Sequence, residues 1–222
     1  MINIENIQVD IAGRGHITNS YVIYDEIIKK GILIDPGYDA KKIIDSINKI
    51  DVKIEYIVLT HAHGDHIGAL KEMYEYTNSP IIIHENDYDM LTGKIDSYSK
   101  FQGIALQDLS KCEIVKVKDG FNFKVGELSF EIIHTPGHTS GSLCLLEKTS
   151  NSLFTGDTIF SDCYGRCDLA TANFDDMVNS IKKIFNRFDD VIIYPGHGKS
   201  NRLSNSKKYI RMLLKMKGVT ID

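Results

Sequence analysis

The chain is poor in several residue types, and each scarcity narrows what it can be. It has only four cysteines, Cys112, Cys144, Cys163 and Cys167. None forms a C-x-x-C pair, which excludes a disulfide-packed miniprotein and fits free thiols in a reducing compartment. No apolar run approaches the roughly 18 residues that span a bilayer. Met1 to His16 lacks a basic start followed by an apolar run, so no secretion signal is expected there. A cytoplasmic protein with no membrane partner is the expectation. Basic charge is not in excess either: 26 Lys and Arg against 30 Asp and Glu leave a net charge of −4. That argues against nucleic acid as the main partner. No repeat of 20–50 residues and no low-complexity linker interrupts the chain.

What is present suits a folded domain. The chain has 222 residues, 42% of them hydrophobic and 25% charged, enough for a sizeable core. Alternation over 2–11, with a slip at Asn6, predicts an edge or bulged strand. Further strands are expected at Tyr21–Tyr24, Ile32–Ile34, Ile54–Leu59 and Ile81–Ile83. Ile43, Ile44, Ile47 and Ile50 recur at helical spacing behind Asp39 as a cap, and Ile67, Leu70, Met73 and Tyr74 suggest a second helix. The stretch 86–111 is polar and mixed, readable only as short helix and loop. A meander then spans Ile114–Val117, Phe121–Val125, Leu128–Ile133, Ser142–Leu146 and Ser152–Phe154. Asn173 caps an amphipathic helix running to Phe188. A last buried strand is expected at Val191–Tyr194 and a terminal helix at Tyr209–Met216. Two facing sheets with helices outside would bury every apolar face, within a single domain covering 1–222.

The informative polar residues gather at strand ends. Ile54–Leu59 runs directly into Thr60-His61-Ala62-His63-Gly64-Asp65-His66. In extended backbone, His61 and His63 leave on the same side. Three imidazoles and a carboxylate within six residues are costly to bury without a partner, and a metal ion is the natural one. Three of the four prolines, Pro36, Pro136 and Pro195, precede a glycine and end apolar strands. Proline presets the turn, and glycine permits an unusual backbone angle or a close approach. Two of these turns deliver His138 and His197. Asp157, in Phe154-Thr155-Gly156-Asp157-Thr158, also follows a strand; alone it reads as a turn residue.

Together these segments resemble the metal-binding motifs of the metallo-β-lactamase superfamily. Thr60–Gly68, Thr135–Ser142, Gly156-Asp157-Thr158 and Pro195-Gly196-His197 occur in the family's order, and Asn19-Ser20-Tyr21 and Asp35-Pro36-Gly37 match its early strands. Gly165-Arg166-x-Asp168-Leu169 is similar to the short glyoxalase II-like hydrolase branch. The resemblance implies an α+β fold: a four-layered αββα sandwich of two mixed β-sheets with helices on the outer faces. It also implies two divalent metal ions, zinc above all, with iron or manganese compatible with the same nitrogen and oxygen donors. The first ion would take His61, His63 and His138, the second Asp65, His66 and His197, and Asp157 would bridge them. Asp65, His61 and Asp157 stand as the catalytic residues of this set, and Arg166 and Tyr164 as substrate contacts.

Two ions about 3.5–4 Å apart can lower the pKa of a shared water toward 7, and the resulting hydroxide attacks a carbonyl. The implied function is therefore a metallo-hydrolase acting on a small hydroxyacyl thioester or related ester, a hydroxyacylglutathione hydrolase-like thioesterase. A mononuclear iron persulfide dioxygenase using His61, His138 and Asp157 is the alternative. A lactonase or other small-ester hydrolase is a further one. RNA processing and a non-catalytic scaffold rank lower. The chain departs from the glutathione enzymes in two ways. The stretch after His197 is too short for their helical extension, and Asp168 and Lys199 stand where they favour aromatic residues. His16, His84 and His134, like Cys163 and Cys167, carry no assigned role.

Overall fold

The computed structural model describes residues 1–11 and 15–221. The first half builds one sheet. β1 (Ile2–Asp10) pairs antiparallel with β2 (Ile17–Asp25), which pairs antiparallel with β3 (Lys30–Ile34). Helix α1 (Ala40–Ile50) crosses over to β4 (Lys53–Val58), which runs parallel to β3. Two short helices, α2 (Gly64–Ile67) and α3 (Leu70–Thr77), lead to β5 (Ile81–His84). Short helices α4 (Tyr88–Leu91) and α5 (Ser99–Gln102) precede β6 (Ile114–Val117), and β4, β5 and β6 are all parallel. The six strands lie in chain order, β1 to β6.

The second sheet mirrors the first. β7 (Asn122–Val125), β8 (Leu128–His134), β9 (Leu143–Glu147) and β10 (Ser152–Gly156) form an antiparallel meander. Helix α6 (Phe174–Arg187) then returns the chain to β11 (Ile192–Pro195), parallel to β10. A two-residue strand β12 (Asn201–Arg202) closes the edge before helix α7 (Leu203–Met216).

Strand alternation explains why the layers stack as they do. Ile32 and Ile34 point to the core between the sheets, where they meet Phe130, Leu143, Leu145 and Phe154. Leu33, from the same strand, points the other way and packs under Ile43 and Ile47 of α1 and Leu70 and Met73 of α3. On the second sheet Cys144 and Leu146 likewise face outward, against Met177, Ile181 and Ile184 of α6 and Ile210 and Leu214 of α7. Both sheets bury both faces, and the result is the expected αββα sandwich.

Several local expectations need correction. β1 is an edge strand, but its register with β2 is unbroken from Ile2 opposite Asp25 to Asp10 opposite Ile17, so Asn6 makes no bulge. β2 starts at Ile17, because the polar side chains of Asn19 and Ser20 are buried by donating to Pro195 O and Asp35 O rather than exposed as loop. The helix expected around Ile67–Tyr74 is two helices, broken at Gly68 and Ala69 where Ala69 N–H donates to Pro36 O. α7 begins six residues before Tyr209, since Leu203 and Ser206 already face the interior.

Candidate metal centre

The dihistidine segment leaves the C-terminal end of β4, and the Pro-Gly turns leave β8 and β11 at the same edge of the sandwich. The seven expected ligands meet there. His63 Nδ1 lies 2.9 Å from His138 Nε2, and His66 Nε2 lies 3.3 Å from His197 Nε2. Asp157 stands between the two groups, 3.5 Å from His138, 3.5 Å from His66 and 3.4 Å from His197. Asp65 reaches His197 at 3.3 Å. Donor atoms of His61, His63 and His138 lie within 4.8 Å of one another, as do those of His61, His66 and Asp157, and those of Asp65, His66 and His197.

Outer hydrogen bonds aim the rings. Asp35 Oδ1 accepts the Thr60 backbone N–H at 2.7 Å, and Oδ2 accepts the Thr60 hydroxyl at 2.6 Å and His66 Nδ1–H at 2.9 Å. Because that hydroxyl donates to Asp35, it accepts from His61 Nδ1–H at 3.1 Å and leaves His61 Nε2 with its lone pair. His138 Nδ1–H donates to Arg166 O at 2.8 Å, and His197 Nδ1–H to Ile17 O at 2.7 Å. Four imidazoles thus have Nδ1 tied outward and Nε2 turned to the centre, the arrangement by which neighbouring acceptors orient metal-binding histidines.

A metal fits this donor set. His61 Nε2, His63 Nε2 and Asp157 Oδ1 are buried and find no hydrogen-bond partner in the protein. Each costs on the order of 1–3 kcal/mol when left unpaired. One cluster of cations satisfies all three. Electrostatics agree. Burial, reinforced by the neighbouring imidazoles, lowers the pKa of His61, and it brings that of His63 down to about 3, which keeps both in the neutral, ligating form. At the other end burial opposes charge on His197, but Asp157 and Asp65 outweigh it and raise its pKa to about 12. Burial likewise works against both carboxylates, yet the imidazoles beside them hold Asp65 and Asp157 well below the usual carboxylate range. The acidic pair draws positive charge into the cluster.

Two glycines of the Pro-Gly turns are there for want of room. A Cβ on Gly196 would collide with Asp157 Oδ1 and His66 Cε1. On Gly137, at φ +139°, it would strike the backbone of Met177 at the start of α6.

The cluster floors a cavity of about 880 Å³. Of the two residues expected to touch substrate, Arg166 is among its lining residues and Tyr164 is not; Tyr164 packs near Phe174 with ring centroids 6.3 Å apart. His16 also reaches the lining. His84 and His134 stack on each other 3.8 Å apart, away from the centre, and Cys163 and Cys167 are free, half-buried thiols. The sequence reading missed three groups. Asp35, which the sequence shows only as the residue before a Pro-Gly turn, orients His66 directly and His61 through Thr60. Asp87, fully buried, accepts from Ala62 N–H, Gly141 N–H and the Thr139 hydroxyl, and so ties the dihistidine loop to the His138 turn. Tyr98, Phe101 and Gln102 wall the cavity from the segment that had no legible periodicity. The aromatic pair Tyr98 and Phe101 was the one available signal.

Residues 13–197 match the metallo-β-lactamase superfamily model, and the chain belongs to that superfamily of metallo-hydrolases. It is 33% identical over 179 residues to a probable polyketide biosynthesis zinc-dependent hydrolase, BaeB, of Bacillus velezensis, covering 80% of this chain and 71% of that protein. It is 29% identical over 191 residues to hydroxyacylglutathione hydrolase GloC of Haemophilus influenzae, covering 86% of this chain and 90% of that one. The BLEG-1 B3 metallo-β-lactamase superposes with a TM-score of 0.85 at 26% identity, over 95% of this chain and 99% of the other. Among the described residues, no helix is long and apolar enough to cross a membrane.

Proposed function

We propose that this protein is a binuclear metal-dependent hydrolase that cleaves small acyl thioesters, hydroxyacyl thioesters among them, or related esters. The observation that carries this reading is the convergence of seven donor side chains at the floor of one open cavity. His61, His63 and His138 would hold one cation and Asp65, His66 and His197 a second, with Asp157 between them. Two divalent cations, zinc first among them, supply acidified water and polarise the carbonyl under attack. The chain's own part is to hold that centre rigid and to receive the substrate. Asp35 locks His66 directly and His61 through Thr60. Arg166 O fixes the His138 ring. Tyr98, Phe101, Phe160 and Leu169 offer an apolar wall for the acyl group and displace water from around it.

The names of the two relatives support a hydrolase, and GloC supports a thioester substrate. A mononuclear oxygenase would leave Asp65, His66 and His197 without employment, which favours the two-cation reading. Elemental analysis of protein purified without added metal should find about two equivalents. A panel of acyl thioesters should be hydrolysed, and chelation should abolish turnover. One equivalent of iron with oxygen uptake, or no thioester turnover by fully loaded protein, would overturn the proposal.

A further inference from the structure

The short helix α5 carries an aromatic ring that the protein leaves bare. Phe101 lines the cavity above the donor cluster, yet 87% of it is exposed. On an unanchored loop such exposure would carry no meaning. The backbone beneath this ring is pinned. Ser97 O accepts Gly64 N–H at 2.8 Å, which ties the segment to the turn between His63 and Asp65. Packing there is close enough that a Cβ on Gly64 would strike Ser99 and Gln102. Tyr98 leads into the helix at φ +58°, a left-handed conformation that is costly for a bulky residue. It persists because its surroundings hold it: the ring lies edge-on to His63, and the hydroxyl accepts Ala170 N–H at 2.9 Å. Phe101 is thus held out at the rim by a segment fixed from two sides.

The apolar surface continues inward from that rim. Tyr98 and Phe160 carry it down to the donors, their ring centroids 5.7 Å from His63 and 6.1 Å from His197. Leu169 lines the same cavity and is partly exposed. An acyl group of two or three carbons at the donor cluster leaves Phe101 in water. An alkyl chain that runs up the wall covers it, and each methylene withdrawn from water adds to binding.

We infer that α5 is the acyl-binding wall and that Phe101 is a specificity-determining residue for chain length: the site takes acyl groups that end in an apolar chain of medium length. The inference rests on the thioesterase reading for its turnover arm, though not for its binding arm.

The test uses metal-loaded wild type, Phe101→Ala and Phe101→Leu, with acetyl, butanoyl, hexanoyl and octanoyl thioesters of a single thiol, N-acetylcysteamine. Wild-type kcat/KM should rise about twofold per added methylene, as for a chain covered on one side only, or about fifteenfold from butanoyl to octanoyl. In Phe101→Ala that gain should shrink to about threefold, and in Phe101→Leu, which keeps an apolar side chain, most of it should return. The matching ketones, with a methylene in place of the thioester sulfur, are not hydrolysed. Their affinities, measured by calorimetry, should follow the same order in the three proteins. A chain-length gain in ketone binding without turnover of any thioester would leave the role of Phe101 standing and sink the thioesterase reading. A flat series, or a steep one unchanged in Phe101→Ala, would overturn the inference alone. So would a gain that appears only when the thiol side is lengthened on a fixed acetyl group. Failure of every ketone to bind would overturn it too.

Discussion

Asp35 Oδ2 and His66 Nδ1 lie 2.9 Å apart, both side chains buried. The same carboxylate holds Thr60, and Thr60 holds His61. One side chain therefore sets two rings aimed at the two halves of the donor cluster. Asp35→Asn keeps the volume but cannot accept from all three donors. It should weaken metal binding 10–100-fold, the usual cost of losing an orienting partner. Competition against a chelator of known affinity reads this directly, and wild-type affinity in the variant would refute the assignment.

Asp87 joins two segments that carry ligands. Its removal in Asp87→Ala leaves Ala62 N–H, Gly141 N–H and the Thr139 hydroxyl to find new partners in a buried setting. The expected loss is about 3 kcal/mol, seen as a lower urea midpoint at unchanged slope. Because the clamp spans the loops of His63 and His138, metal affinity should fall alongside.

Glu147 gives the protein a defined acid sensitivity. Burial pushes its pKa up, but the hydroxyl of Ser150 and the backbone N–H groups of Ser150, Thr149 and Ser129 outweigh burial and hold it below the ordinary 4.5. A depressed carboxylate binds fewer protons folded than unfolded. Its stabilisation is complete above the unfolded pKa and is lost as pH falls through the folded one. Glu147→Gln should cost about 1–3 kcal/mol at pH 7. The difference from wild type should narrow as pH drops below about 4.5. Stability curves from pH 7 to 3 for the two proteins test this, and parallel curves would contradict it.

Gly137→Ala asks whether the His138 turn tolerates a methyl group. At φ +139° and against the Met177 backbone, the substitution should cost about 2 kcal/mol, or roughly 4–8 °C in Tm for a chain of this size. Calorimetry of wild type and variant, each without metal, separates this cost from any change in metal binding.

Legibility differed sharply along the chain. Layering was readable because alternation in strands such as Ile32-Leu33-Ile34 and Leu143-Cys144-Leu145 is a local property with a period of two. Expected and observed helices agree best for α1 and α6, whose caps Asp39 and Asn173 each accept a backbone N–H. The segment 86–111 had neither period nor caps in series, and it holds Asp87 and Tyr98. Tyr98 sits at φ +58°, its ring edge-on to His63 and its hydroxyl accepting Ala170 N–H. Nothing local announces a contact between residues 72 positions apart.

By itself the sequence determined which groups could bind metal, because donor chemistry is a property of residue type and the strand-end spacing is written in the chain. It also determined the layer order, through hydrophobic period. Tertiary structure alone decided which nitrogen of each histidine faces the centre, since that choice belongs to acceptors as distant as Ile17 O for His197. It alone decided that Arg166 meets Asp168 at the cavity mouth while Tyr164 turns to the core beneath α6. Such outcomes depend on orientation in three dimensions, and residue order carries no orientation until the two sheets have closed on each other.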